Sequence, residues 1–256
     1  MQAEFRELKQ ELALWQQAGM VLPFWWRDDD ATRHTPALER LASMARQFEM
    51  PVHIAVIPDL IEPSLIDQVL STPALVPLVH GWRHHNHAPD GAKKSEFGDT
   101  RPLQIRRDEA GAGLRRVSQA FAGRGLPVFV PPWNRIGSDL VTELPGLGYR
   151  ALSTFTPRKA REAAPGLLQI NTHLDPIDWH GTRGAVPVDQ LVRTACQQLR
   201  ARRLGSAENG EAFGLLTHHL VHDEGLWDLV ETLLDIFCSG PTEAINLQEV
   251  KGEGFE

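Results

Sequence analysis

Ala74-Leu75-Val76-Pro77-Leu78-Val79-His80-Gly81-Trp82-Arg83-His84-His85-Asn86-His87 is the stretch on which the reading of the chain turns. Its first six residues are apolar and of strand length, so they read as a buried strand. The eight that follow hold four histidines. Two histidines four residues apart share one face if the chain turns helical after the strand, an arrangement that lets a pair chelate a divalent metal. His80 and His84 are therefore the candidate ligands, and His85 and His87 point elsewhere in that geometry. A third ligand must come from another segment, and Asp28-Asp29-Asp30 offers a choice.

Working outward, strands are predicted at 21–26, 51–57, 75–79, 126–130, 149–153, 167–171 and 213–217, with a closing strand at 244–250. Phe5, Leu8, Leu12 and Trp15 recur at helical spacing and predict an amphipathic helix over 3–18. Thr35 as N-cap and Pro36 at the first helical position open a helix to about residue 48. Further helices are predicted at 63–70, 103–121, 138–145, 188–203 and 226–237, and the polar, Gly-containing stretch 88–100 reads as a loop. Strands alternating with helices give an α/β fold with a mainly parallel sheet. Seven to eight strands in 256 residues point to a parallel (β/α)7-8 barrel, expected to be a single domain over 1–256 with the N-terminal helix packed on it.

Polar clusters follow five of these strands: Asp28–Asp30, His80–His87, Pro131–Asn134, Asp175–Trp179 and His218–His219. In a parallel barrel all strand C-termini open onto one face, so clusters remote in sequence converge in space. Three adjacent carboxylates at such a mouth repel one another unless a cation neutralises them. One of the three reads as a turn cap. A catalytic zinc site commonly has three protein ligands and an open position for water. The metal acidifies that water, a second carboxylate takes its proton, and a histidine opposite protonates the leaving amine. His218 suits the acid role, with His219 and His222 as rivals.

Composition sets outer bounds. A formal charge of −7 argues against nucleic acid as a partner, since phosphate binding calls for a basic patch. Cys196 and Cys238 have no metal-type spacing and imply no disulfide framework, which fits a reducing compartment. Charged residues interrupt Met1 to Met20, so no signal peptide is expected there. No run approaches the roughly 18 apolar residues of a membrane span, and the expected location is the cytoplasm.

The order of the clusters resembles the polysaccharide deacetylases, the NodB-homology family of metal-dependent carbohydrate esterases. Its motifs T-F-D-D-G, H-S/T-x-x-H, R-P-P-Y, D-x-x-D-W and L-x-H are similar, in order, to Arg27–Ala31, His80–His84, Val130–Trp133, Asp175–Trp179 and Leu216–His218. The resemblance covers residues 24 to about 222. It implies a distorted barrel holding zinc, or cobalt, nickel or manganese, on one Asp and two His. Matching Ala31 to the small residue that closes the first motif makes Asp29 the general base and Asp30 the metal ligand beside His80 and His84. The alternative register, with Asp28 as base and Asp29 as ligand, stays open.

The resemblance also implies His218 as general acid, Leu216 lining an acyl pocket and Trp179 walling the site. The Trp133 peptide N–H would help hold an oxyanion, and Asp175 would be a polar partner of the acid–base groups. Three positions depart from the pattern: Val130 stands where the third motif has Arg, Trp133 where it has Tyr, and Gly81 where the second has a hydroxyl residue. Arg27 or Arg135 could supply the missing charge. The implied activity is hydrolysis of an N-acyl group on an amino sugar or glycan, shifted towards a smaller intracellular substrate by the N-terminus. Hydrolysis of a C–N amide outside carbohydrates and a non-catalytic sugar-binding barrel are the alternatives.

Overall fold

The structure, a computed structural model, describes residues 4–248. In chain order the described strands are β1 (Leu22–Ala31), β2 (Val52–Val56), β3 (Leu75–His80), β4 (Val128–Val130), β5 (Ala151–Leu152), β6 (Glu162–Ala164), β7 (Leu167–Gln169), β8 (Phe213–Thr217) and β9 (Thr242–Ala244). The helices are α1 (Arg6–Gln17), α2 (Pro36–Gln47), α3 (Pro63–Ser71), α4 (Leu103–Ala120), α5 (Ser138–Val141), α6 (Val188–Arg203) and α7 (Glu224–Cys238). One sheet runs β6-β7-β5-β4-β3-β2-β1-β8, with β9 also on β1, and every pairing except β6–β7 is parallel. Beyond β7 the chain reaches the opposite edge. The His173 and Leu174 N–H groups both donate to Gly214 O (2.7 and 3.1 Å), and Leu216 N–H donates to Leu174 O (2.8 Å). That parallel bridge closes the sheet into the distorted (β/α) barrel anticipated from the alternation of strands and helices.

Alternation along the strands sorts the apolar residues into two layers. Trp25, Ala55, Leu78, Val128, Val130, Ala151 and Leu247 form a small inner cluster. A larger cluster, including Phe24, Trp26, Ile54, Val79, Phe129 and Leu215, lies between the strands and the helices. The helix starts follow local chemistry. Thr35 Oγ1 accepts from Leu38 N–H (3.0 Å) ahead of Pro36, and the Asp223 carboxylate accepts from Leu226 N–H (2.8 Å). Phe5, Leu8, Leu12 and Trp15 are all buried, and the Arg203 guanidinium pairs with Glu11 (2.7 Å) to tie α6 to α1.

Five expectations change. β1 does not stop at Trp26 but runs through the acid triplet to Ala31. The segment after His80 is not helical; Gly81 and His84 take left-handed backbone angles (φ +58 and +56), and no helix is found between 81 and 100. β6 adds an antiparallel hairpin with β7 across Pro165-Gly166, a short pairing that periodicity did not reveal. The helix expected over 138–145 ends at Val141, where Pro145-Gly146 starts a separate 3-10 turn. The closing strand is Thr242–Ala244, and residues 249 and 250 of the expected 244–250 lie outside the described residues.

Candidate metal centre at the barrel mouth

A bulge in β1 creates the site. Asp28 pairs with Ile54 and Ala31 with Val56, so two residues, Asp29 and Asp30, stand opposite one. Regular alternation would send successive side chains to opposite faces. Asp30 escapes that rule through a left-handed backbone (φ +75). Its Oδ1 then lies 3.1 Å from His80 Nε2 and 3.3 Å from His84 Nε2. One ligand atom from each of the three residues falls within 4.8 Å of the others, the geometry a single cation requires.

The donor chemistry fits a divalent metal. His80 Nδ1 faces Val130 O at 3.0 Å, and a carbonyl can only accept, so Nδ1 carries the proton and Nε2 is left as the ligand. A carboxylate oxygen and two imidazole nitrogens this close need a positive charge among them. Burial opposes ionisation of Asp30, but the His80 hydrogen bond and the surrounding imidazoles outweigh it and hold the carboxyl well below its ordinary value. Burial likewise favours neutral His80, yet the Asp30 bond and the charge of Asp29 outweigh it and raise its basicity. His84 shifts the other way, lowered by burial and then by His80. Its ring packs at 4.2 Å on Trp133, which closes one side of the centre.

Asp29 points elsewhere in the mouth, into the guanidinium of Arg27. Arg27 Nε lies 2.9 Å from Oδ1, and Nη2 donates to Oδ2 at 3.0 Å. Three more acceptors fix Arg27: Ser153 Oγ (2.7 Å), Asn134 Oδ1 (2.9 Å) and Thr154 O (3.3 Å). Both members of this pair are buried. A positive charge therefore lies beside Asp29, two residues before it on the same strand. Arg135 is turned away, its Nη1 donating to Lys94 O (2.8 Å).

His218 reaches the mouth from the end of β8, its Nε2 3.9 Å from Asp29 Oδ2. Trp179 lies edge-on to its ring at 4.7 Å, and the Trp179 indole N–H donates to Asp175 Oδ2 (2.8 Å). Asp175 also caps its own turn through Ile177 N–H (2.9 Å), and burial raises its carboxyl. Trp179 thus stands between Asp175 and the His218 ring. Leu216 is buried on β8 in register with Arg27.

The remaining candidates are engaged with one another and with β8. Asp28 is enclosed, accepting from Thr217 Oγ1 (2.6 Å), from His219 N–H (3.0 Å) and from the His219 imidazole. Burial pushes its carboxyl up, and these imidazole and hydroxyl contacts more than reverse the shift. The Asp28 contacts join β1 to β8. His219 is committed to Asp28. His222 accepts from His218 N–H (3.3 Å) and packs on Trp227, and burial brings its pKa down to about 4. Only His218 of the three faces Asp29.

No protein-family model matches this chain, and no curated protein does. Solved structures do match. A Mycobacterium smegmatis protein provisionally described as a polysaccharide deacetylase superposes with a TM-score of 0.62 at 15% identity, over 84% of this chain and 75% of that one. The chitin deacetylase of Colletotrichum lindemuthianum gives 0.55 at 15% identity over 91% of both chains. A peptidoglycan deacetylase of Bacillus subtilis gives 0.55 at 10% identity, over 90% of this chain and 89% of that one. The fold is the polysaccharide-deacetylase barrel, as the order of the motifs implied. Among the described residues no helix is long and apolar enough to cross a membrane.

Proposed function

We propose that this protein is a metal-dependent hydrolase that removes an N-acetyl group from an amino sugar or glycan. The observation that carries the reading is the β1 bulge, which brings Asp29 and Asp30 to one mouth with His80, His84 and His218. A divalent cation held by Asp30, His80 and His84, zinc in the first instance, would supply Lewis acidity for the water and the acyl carbonyl. Asp29, held by Arg27, takes the proton of the attacking water. The C–N bond breaks as His218 gives a proton to the departing amine, so acetate and a free amine are the products. The Trp133 N–H is suited to stabilise the carbonyl oxygen as it gains charge. Leu216 and Trp179 bound the acyl pocket, and Asp175 keeps Trp179 against His218. The fold it shares with chitin and peptidoglycan deacetylases supports a glycan as the first substrate to try.

The test is acetate release from N-acetylglucosamine oligomers and peptidoglycan fragments, with N-acetylated non-carbohydrate amines alongside. Metal content is measured on the same protein. Stoichiometric zinc uptake with acetate release that is lost in Asp29→Asn and His218→Ala is the expected result. No metal uptake, and no turnover with added zinc, cobalt, nickel or manganese, overturns the assignment.

A further inference from the structure

We propose that Glu96, in the polar loop before α4, is a positioning residue that presets His84 for the cation; this rests on the metal-centre reading above. The turn 81–85 belongs to no helix or strand, so its N–H groups need partners from elsewhere. They find one carboxylate. Glu96 Oε1 accepts from Arg83 N–H (2.7 Å) and His85 N–H (3.3 Å), and Oε2 accepts from Trp82 N–H (3.1 Å). The residues donating to Oε1 flank His84 on both sides.

Glu96 is itself fixed. It is only 1% exposed, and its carbonyl accepts from Arg101 Nη1 (3.0 Å), whose guanidinium also pairs with Glu109. Neighbouring Phe97 is buried and bridges to Ile136. Gly81 is cut to fit this carboxylate. A Cβ there would lie 2.4 Å from Glu96 Oε2 and 2.6 Å from Pro132 Cδ, and φ is +58. From below, Gly113 of α4 lets the helix approach; a Cβ at that position would meet Gly81 O at 2.8 Å. The turn is thus held between a helix and an anion.

His84 keeps a left-handed backbone that non-glycine residues seldom adopt, and the ring it carries is the most weakly enclosed nitrogen ligand, 24% exposed against 2% for His80. Without Glu96 the N–H groups on either side are freed to turn to water, and the ring loses its preset direction. Groups that orient a metal ligand contribute 10–100-fold to affinity as a rule.

The experiment is titration of the metal-free full chain with Co2+, read by its visible absorption, for wild type, Glu96→Ala, Glu96→Gln, His84→Ala and the Glu96→Ala/His84→Ala double variant. Glu96→Ala is expected to weaken binding about 10–100-fold. Glu96→Gln, which keeps the Oε1 acceptor, should fall between it and wild type. In the His84→Ala background the Glu96 substitution should cost nothing further, because its action passes through His84; general destabilisation would cost affinity in both backgrounds. If Glu96→Ala does not fold, by far-ultraviolet circular dichroism, Glu96→Gln decides. Co2+ affinities equal to wild type in the folded Glu96 variants overturn the role of Glu96 alone. Wild-type protein that takes up no Co2+ overturns the metal centre and this proposal with it.

Discussion

Replacing Arg27 by Met keeps the aliphatic stem and removes the charge. In the native barrel that guanidinium faces Asp29 with Nε and Nη2, Nη2 also donates to Asn134, and Nη1 donates to Ser153 and Thr154, all within 3.3 Å. Asp29 is 3% exposed, so water cannot replace the lost partner. Breaking a buried pair by deleting one member costs about 3–5 kcal/mol, most of it the uncompensated charge that remains. For a chain of this length that corresponds to a drop in Tm on the order of 6–20 °C. The control is Arg27→Met/Asp29→Asn, which leaves no unpaired charge and should be more stable than Arg27→Met alone. Arg27→Lys keeps the charge but cannot span acceptors on both sides, so it should recover only part of the loss. Urea and thermal unfolding of metal-free protein measure all three, with Asp29→Asn alone to complete the cycle. A loss below about 1 kcal/mol for Arg27→Met, or a double variant as unstable as the sum of the singles, refutes the assignment of Arg27 as the fixed partner of Asp29.

Two further predictions follow from the same network and from the core. Asp28→Asn should lower stability on the order of 1–3 kcal/mol while zinc stoichiometry stays unchanged; Asp30→Asn should abolish zinc uptake, and metal analysis of both variants separates the two registers of the aspartate triplet. His53 supplies an acid-stability test. Its Nδ1 faces the Trp26 carbonyl (3.0 Å) and its Nε2 accepts from Leu247 N–H (3.1 Å), an arrangement only the neutral ring can satisfy. Burial brings its pKa from 6.5 down to about 4. Between these values the unfolded chain binds a proton that the native state refuses, so stability falls as pH drops from about 6.5 to about 4, by about 3 kcal/mol. The contribution is constant above that window. Urea midpoints across pH 4–7 should flatten in His53→Gln; an unchanged slope counts against a neutral buried His53.

What the residues disclosed, and what they hid, divides along physical lines. β8 and α6 sit at their predicted bounds because apolar runs and helical spacing are local signals that packing did not override. The closeness of His80 and His84 was legible in their i, i+4 spacing after a strand, whereas the choice of Asp30 from three adjacent aspartates was not. Nor was their means of convergence. Residues i and i+4 share a face in a helix, so a helix was expected after His80, yet Gly81 and His84 turn the chain by left-handed angles that no periodicity records. The bulge is hidden for the same reason: alternation places neighbouring residues on opposite faces, and only backbone geometry lets Asp29 and Asp30 serve one mouth. Glu96 reads in sequence as one more charge in a polar loop, and its burial is visible only once Phe97 and Arg101 are seen to pin it.

The bulge carries a consequence for how the centre fails. Asp29 and Asp30 are consecutive, so their Cα atoms are held about 3.8 Å apart by one peptide unit whatever the rest of the barrel does. That they face the same way is owed to the bulge and to the left-handed backbone of Asp30, so the pairing of the two carboxylates is a property of β1 alone. His84 and His218 come from a turn and from the far edge of β8, and depend on non-covalent contacts for their positions. Mild denaturant should therefore dismantle the cluster from its histidine side, with His84 and His218 displaced while β1, held by its neighbours on both sides, keeps its bulge.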